Sequence, residues 1–361
     1  MHWLAGLLLI ALILPGWLQG TAQVTPEAQH SPSSGIESNR QAIIESGFKI
    51  SWILPRQIFW LDRDRVLFAA TPGGKSEKRS GSGIYIWDIP SNQVSKYADG
   101  GRLCYFQGVI RYGARGTGGQ AMVVEGRFGE EKIRPRWPED EKSYESPIDC
   151  QVYPYAKIPR NEFNAPLEPL AFGHGFLDFG DLHTARQFRS SPIKYWRKLE
   201  SIPVQLPIES REVLAVELEY AQSLDVYVLY GRDPKGTVGP WLPGKPHPVY
   251  LLRTNGTVDL RNIPYGPWVG APVAYVSPTL QGVFFTSHQV VNRLPTGGHA
   301  GGAYVVEAGR VRQLASGIPE SARVSPDGCR AAWALRRYPS KDRLITMQMA
   351  ELCNREQGAL R

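Results

Sequence analysis

Two stretches near the C-terminal end align without a gap at a spacing of 48 residues: AYVSPTLQGVFF (274–285) and ARVSPDGCRAAW (322–333). Each joins two short apolar runs through a Ser-Pro turn. In the second, Pro326 presets its own φ, Asp327 can bond the backbone ahead, and Gly328 takes a conformation that other residues resist. A hairpin corner repeated at this interval constrains the fold more than any other feature of the chain. A unit of that length holds about four strands and cannot bury its apolar faces alone, so such units must stack.

More copies of the unit follow from the same reading. GSGIYIWDIPSNQVSKYADG (81–100), HPVYLLRTNGTVDLRNIP (247–264) and GGAYVVEAGRVRQLASG (301–317) each read as strand, turn and strand. Their turns fall at Pro90 to Asn92, at Asn255-Gly256 and at Ala308-Gly309. Asn-Gly is expected to form a two-residue turn with positive φ at both positions. Each copy is preceded by a further apolar run: RVLFAA (65–70), LDVYVLYG (224–231) and GVFFTS (282–287). Second and third strands are expected near 65–89, 104–125, 174–199, 224–254, 282–307 and 329–353. No amphipathic helix of 12 residues or more interrupts 47–353. Plentiful turn formers, 37 Gly and 29 Pro, and only 21% charged residues suit such a chain. The expectation is all-β: a β-propeller of six blades, with five or seven as alternatives, each a four-stranded antiparallel sheet. GFKISWIL (47–54) is available as the outer strand of the last blade, which would leave no open edge in the ring.

At this point a resemblance can be named. VSPDGCRAAW resembles the Ser-Pro-Asp-Gly repeat of TolB-type, WD40-like propellers, and IYIWDIPSNQV is similar to their third strand and turn. The resemblance implies the fold and is silent on function. TolB itself carries an α/β domain ahead of its propeller. The lead-in of this chain is too short for one, so TolB's partners are not carried over.

The chain divides into four expected parts. Residues 1–22 have the layout of a secretory signal peptide: an apolar run from Leu4 to Leu14, the breakers Pro15 and Gly16, then small residues at Gly20 and Ala22. The run is short for a membrane span of about 20 residues. No Lys or Arg precedes it, a departure from the usual pattern. Residues 23–46 are a polar lead-in, 47–353 the propeller, and 354–361 a short tail. The expected address is the periplasm or the extracellular space, with no membrane span after cleavage.

Four cysteines fall in the exported part, and an even count there suggests two disulfides. Cys329 and Cys353 are equidistant from Lys341 and are expected directly opposite each other on neighbouring strands. Cys104 and Cys150 then pair by elimination. Closing a loop of about 25 residues contributes roughly 3 kcal/mol in the chain-entropy estimate. The net charge of +7 is mild for this length and permits contact with anionic envelope polymers. With no basic helix and no stacking motif, no nucleic-acid partner is expected. A monomer is expected, with a protein or envelope-polymer partner.

Chemistry is sparse. FGHGFLDFGDLHTAR (172–186) gathers His174, Asp178, Asp181 and His183, residue types that hold divalent ions. Their spacing matches no metal motif. A strand would send His174 and Asp178 to one face and Asp181 and His183 to the other. The stretch reads as a glycine-rich loop with solvated polar groups, and no metal or cofactor is expected. The glycine runs GARGTGG (113–119) and GGHAGG (297–302) feed strands, as loops between second and third strands do. Phosphate-cradling loops precede a helix instead. No Gly-x-Ser-x-Gly elbow stands at a suitable place, and no catalytic residue is assigned. Trp241 and Trp268 lie in Pro/Gly loops, where indoles can stack on sugars or anchor a partner. RSSPIKYWRKLE (189–200) reads as the solvated side of an outer strand.

Two functions follow. One is an exported, non-enzymatic propeller that binds an envelope protein or ligand on its loop faces. The alternative is a hydrolase or lyase with its site at the mouth of the central channel. Carboxylates, histidines and arginines gathered at that mouth would favour the enzyme. A lining of aliphatic and small residues would favour the binding platform.

Overall fold

Strand after strand runs antiparallel to its predecessor, and the sheets fall in chain order. The computed structural model describes residues 50–72, 82–136, 167–170, 174–180, 191–197, 200, 202–209, 217–230, 246–264, 273–287, 301–336 and 345–353. All of them belong to one compact unit, Asn39–Arg361. The expected signal peptide (1–22), lead-in (23–46) and tail (354–361) lie outside the described residues, as do Cys150, Asp181, His183, Trp241 and Trp268.

Among the described residues 23 strands form six blades. The first blade holds β1 (Ile50–Trp60), β2 (Arg65–Pro72), β3 (Gly83–Asp88) and β4 (Gln93–Asp99). The second holds β5 (Gly101–Phe106), β6 (Val109–Arg115), β7 (Ala121–Arg127) and β8 (Lys132–Pro135). The third holds β9 (Glu168–Pro169), β10 (Gly175–Asp178), β11 (Pro192–Arg197) and β12 (Val204–Glu209). The fourth holds β13 (Glu217–Ala221), β14 (Val226–Tyr230), β15 (His247–Arg253) and β16 (Val258–Ile263). The fifth holds β17 (Val273–Pro278), β18 (Gly282–Ser287), β19 (Gly302–Glu307) and β20 (Arg310–Ser316). The sixth has three strands of its own, β21 (Ile318–Val324), β22 (Arg330–Arg336) and β23 (Ile345–Glu351). Its fourth is borrowed: Ile50 at the start of β1 pairs with Ile345 of β23, while the end of β1 pairs with β2 through Trp60 and Val66. One long strand therefore serves the last blade and the first, and the sheet of seven strands that results closes the ring. The architecture is a six-bladed β-propeller.

The apolar runs have a direct physical cause. Each blade is covered on both faces, so its strands are apolar at successive positions instead of alternate ones. In β14, Val226, Val228 and Tyr230 pack toward the fifth blade against Phe285 and Tyr304. Tyr227 and Leu229, between them, pack toward the third blade against Tyr195 and Leu206. Phe284 and Trp333 pack against each other across the fifth and sixth blades with tilted rings, centroids 5.7 Å apart, both fully buried. Trp87, Phe68 and Met347 fill the seam between the first and sixth blades.

The turns correct the sequence reading in places. Ala308 (φ 48) and Gly309 (φ 74) form the two-residue hairpin. Asn255-Gly256 does not. Only Gly256 takes a positive φ, 89, and four residues separate β15 from β16. The Asn255 side chain is the reason: its Oδ1 accepts from the Thr257 amide at 2.9 Å and from the Thr257 hydroxyl at 2.8 Å, which holds Asn255 on the right-handed side. In the second blade Cys104 lies on the inner strand β5, not on a second strand starting at 104. A Gln107-Gly108 turn with φ 45 and 80 intervenes. The basic stretch around Lys194 is the third strand β11, not an outer one. Ile193 and Tyr195 are fully buried, and Arg197 pairs with Glu200 at 2.8 Å.

Cys329 and Cys353 are joined, with Cα atoms 4.9 Å apart. They are not directly opposed. Arg330 pairs with Glu351, so Cys329 faces Leu352, whose amide donates to the Cys329 carbonyl at 2.7 Å. The ladder is offset by one residue from the symmetric register, and the disulfide closes diagonally just past its last rung. Cys104 is disulfide-bonded as well.

Candidate functional site

The turns after five of the inner strands meet around one cavity. There the C-terminal ends of five inner strands, β1, β5, β13, β17 and β21, surround a cavity of about 200 Å³. Segments far apart in sequence meet across it: Phe59 and Trp60, Tyr105 to Gly108, Tyr220 to Ser223, Tyr275 and Ser277, and Arg323 to Pro326. It is the mouth of the central channel.

The wall is held by hydrogen bonds between blades. The Trp60 indole donates to the Arg323 carbonyl at 3.1 Å. The Val324 amide donates to the Tyr275 hydroxyl at 3.1 Å. The Tyr105 hydroxyl donates to the Leu61 carbonyl at 3.3 Å. The Arg323 guanidinium lies over the Phe59 ring, 5.1 Å from its centroid, in a cation–π contact.

The Ser-Pro-Asp-Gly corner locks the rim. Gly328 stands at φ 71. A Cβ there would lie 3.0 Å from the Ser223 side chain and 3.3 Å from the Leu280 amide, so turns of the fourth, fifth and sixth blades close on a residue without a side chain. Asp327 accepts from the Cys329 amide at 3.0 Å, and the Ser325 hydroxyl accepts from the Arg330 amide at 2.9 Å.

Chemically the mouth offers aromatic faces, hydroxyls, two side-chain amides and one guanidinium. Among its described lining residues there is no carboxylate and no imidazole. Acid–base work most often uses such groups, and tyrosine can serve as well. Tyr105 and Tyr220 are held as neutral donors. Burial, followed by the hydrogen bond to Asp225 and its charge, pushes the Tyr220 phenol above its ordinary range, and burial does the same for Tyr105.

The residues singled out by the sequence are dispersed. His174 packs behind the wall. Its Nδ1 hydrogen-bonds the Tyr227 hydroxyl, and its ring meets Tyr220 edge-on at 6.1 Å. Asp178, buried at the far end of β10, accepts from the Gly180 amide at 2.9 Å and so caps its own turn. The two do not converge. Among the described residues no cluster of His, Cys, Asp and Glu could hold a metal ion. The GARGTGG run ends β6 with its first three residues and fills the connection to β7 with its last four, between the second and third strands as its composition suggests.

The residues that do converge, Tyr105, Gln107, Tyr220, Gln222 and Arg323, were missed by sequence reasoning. A signal existed for one of them, Arg323, through its partner in the repeat. Tyr275 and Arg323 occupy the same column of the 48-residue alignment. That column is the inner-strand position facing the mouth.

Fold and mouth together define a six-bladed propeller with an aromatic cavity at one end of its channel. Neither a protein-family profile nor a curated protein sequence matches the chain. Among solved structures, the chain is similar to the β-propeller domain of the Trilobed protease from Pyrococcus furiosus. That match has 8% identity and a TM-score of 0.34, and it covers 84% of this chain and 82% of that one. TolB from Acinetobacter baumannii matches at 11% identity and a TM-score of 0.34, over 75% of this chain and 60% of that one. A chain of the mitotic checkpoint complex matches at 11% identity and a TM-score of 0.33, over 82% and 76%.

Proposed function

We propose that this protein is an exported, non-enzymatic β-propeller that binds an envelope protein or ligand at its channel mouth. One observation carries the reading: the cavity lining pairs aromatic surface with hydroxyl and amide groups, a set suited to recognition. It is neither the acidic, histidine-bearing mouth of the enzyme reading nor a merely aliphatic channel. Export is supported by the signal-like pattern of residues 1–22 and by the Cys329–Cys353 disulfide, since such bonds persist in oxidising compartments. Among the described residues no helix is long and apolar enough to cross a membrane.

The test is retention of a partner from an envelope fraction by immobilised protein. Wild type and Arg253→Met, altered away from the mouth, should retain the same species, and Gln222→Trp, which fills the mouth, should lose it. Retention by Gln222→Trp would move the site elsewhere. Turnover of ester or glycoside substrates, lost in the same variant, would make the protein an enzyme.

A further inference from the structure

Resting on that reading of the mouth, we infer that its ligand is a neutral pyranose ring, held by hydroxyl and amide side chains from the second, fourth and fifth blades. Ser277, near the end of β17, lines the cavity and is only 2% exposed. Among the described residues its hydroxyl makes no hydrogen bond. Displacing water from a buried hydroxyl is costly unless the occupant brings a partner for it. A purely apolar ring brings none. Around the opening, Gln107 and Gln222 are exposed and Ser223 is half-buried. Their side chains take part in no hydrogen bond among the described residues. Amide and hydroxyl groups both donate and accept. An anion only accepts and a cation only donates, so either leaves part of this set unpaired. Sugar hydroxyls do both and match it throughout.

Charge and size agree with this. No carboxylate stands among the described lining residues to neutralise a cation. Arg323 is engaged in the wall, its carbonyl by the Trp60 indole and its guanidinium by the Phe59 ring, and the sugar requires nothing of it. A cavity of about 150 Å³ accommodates benzene, so the cavity of about 200 Å³ here takes one six-membered ring with small substituents. Pockets for drug-sized molecules start at about 300 Å³. The C–H faces of the pyranose meet the apolar lining of Phe59, Trp60 and Val324, and its hydroxyl edge meets Ser277 and the two glutamines.

Two sources carry such a ring, a free monosaccharide and the end of an envelope glycan, and the arms of the test separate them. Purified full-length protein is titrated by calorimetry with glucose, galactose, mannose and N-acetylglucosamine, with their methyl glycosides, and with glucuronate and cyclohexanol. At least one neutral sugar should bind at millimolar concentration, more tightly than glucuronate and cyclohexanol. Binding kept by its methyl glycoside identifies a chain end, and binding lost there identifies the free sugar. Ser277→Ala should weaken the sugar roughly 2- to 10-fold, the worth of one neutral hydrogen bond. Its melting temperature should stay unchanged, because that hydroxyl holds no other described residue. Gln222→Ala, at an exposed position, should weaken the sugar by a similar factor. Glucuronate or cyclohexanol binding as tightly as every neutral sugar, affinity unchanged in both variants, or no neutral sugar bound at millimolar concentration overturns the inference. An envelope species lost by Gln222→Trp while no sugar binds would leave the binding mouth standing and remove only the pyranose. A sugar bound equally well by Gln222→Trp would overturn both.

Discussion

Arg330 offers the sharpest test of how the ring is closed. It stands on β22 with its side chain 10% exposed. Its Nε lies 2.9 Å from the Glu351 carboxylate on β23, and its Nη1 lies 3.2 Å from Asp64 in the first blade. The same Nη1 donates to the Arg63 carbonyl. One side chain thus ties the last blade to the corner between β1 and β2. Breaking a fully buried pair costs about 3–5 kcal/mol. Glu351 and Asp64 are 32% and 55% exposed, so water takes over part of the loss. Arg330→Met, which keeps the stem's packing, should therefore cost about 2–3 kcal/mol. In a domain of this size that lowers the melting temperature by roughly 3–5 °C. Differential scanning calorimetry reads it, with Arg253→Met as the control because the Arg253–Asp259 pair lies within one blade and is about half exposed. Equal shifts in the two variants, or a change below about 1 °C for Arg330→Met, would show that the clasp does not hold the seam.

Three further outcomes are expected. Cys329→Ser/Cys353→Ser should lose roughly 3 kcal/mol in urea unfolding, and an unchanged midpoint would mean that the disulfide does not restrain the unfolded chain. His247 is fully buried, and burial pushes its pKa down to about 3. The unfolded chain therefore takes up a proton below about pH 6.5 while the folded chain does not. Stability is complete above that pH and falls by up to about 1.4 kcal/mol per unit as pH drops toward 3. His247→Leu should flatten this acid limb between pH 6.5 and 5, and parallel curves for the two proteins would contradict it. Phe284→Ala, which empties a fully buried site against Trp333, should cost about 3–5 kcal/mol by the same denaturation assay; a loss under about 1 kcal/mol would deny the packing between blades.

The blades were legible because strands covered on both faces are apolar throughout and are punctuated by turn residues. GVFFTS at 282–287 and RVLFAA at 65–70 mark two of them. The disulfide partners were legible from spacing, yet their register was not, since a ladder of residues gives no sign of a one-residue offset. Asn255-Gly256 misled because the Asx bond to Thr257 competes with the paired positive φ angles that the dipeptide usually supplies. The site was hidden for a different reason. Its residues come from five strand ends spread from Phe59 to Pro326, and each is unremarkable alone. The clustered polar stretch near His174 attracted attention in one dimension, whereas the geometry uses His174 to brace Tyr220 and Tyr227.

Photo-crosslinking from position 105 probes the assembled mouth most directly. With benzoylphenylalanine in place of Tyr105, mass spectrometry should recover adducts to segments around Gln222, Ser277 and Arg323, all of which border the same cavity. Adducts confined to neighbouring turns of the first and second blades would mean that these distant strand ends do not surround a common opening.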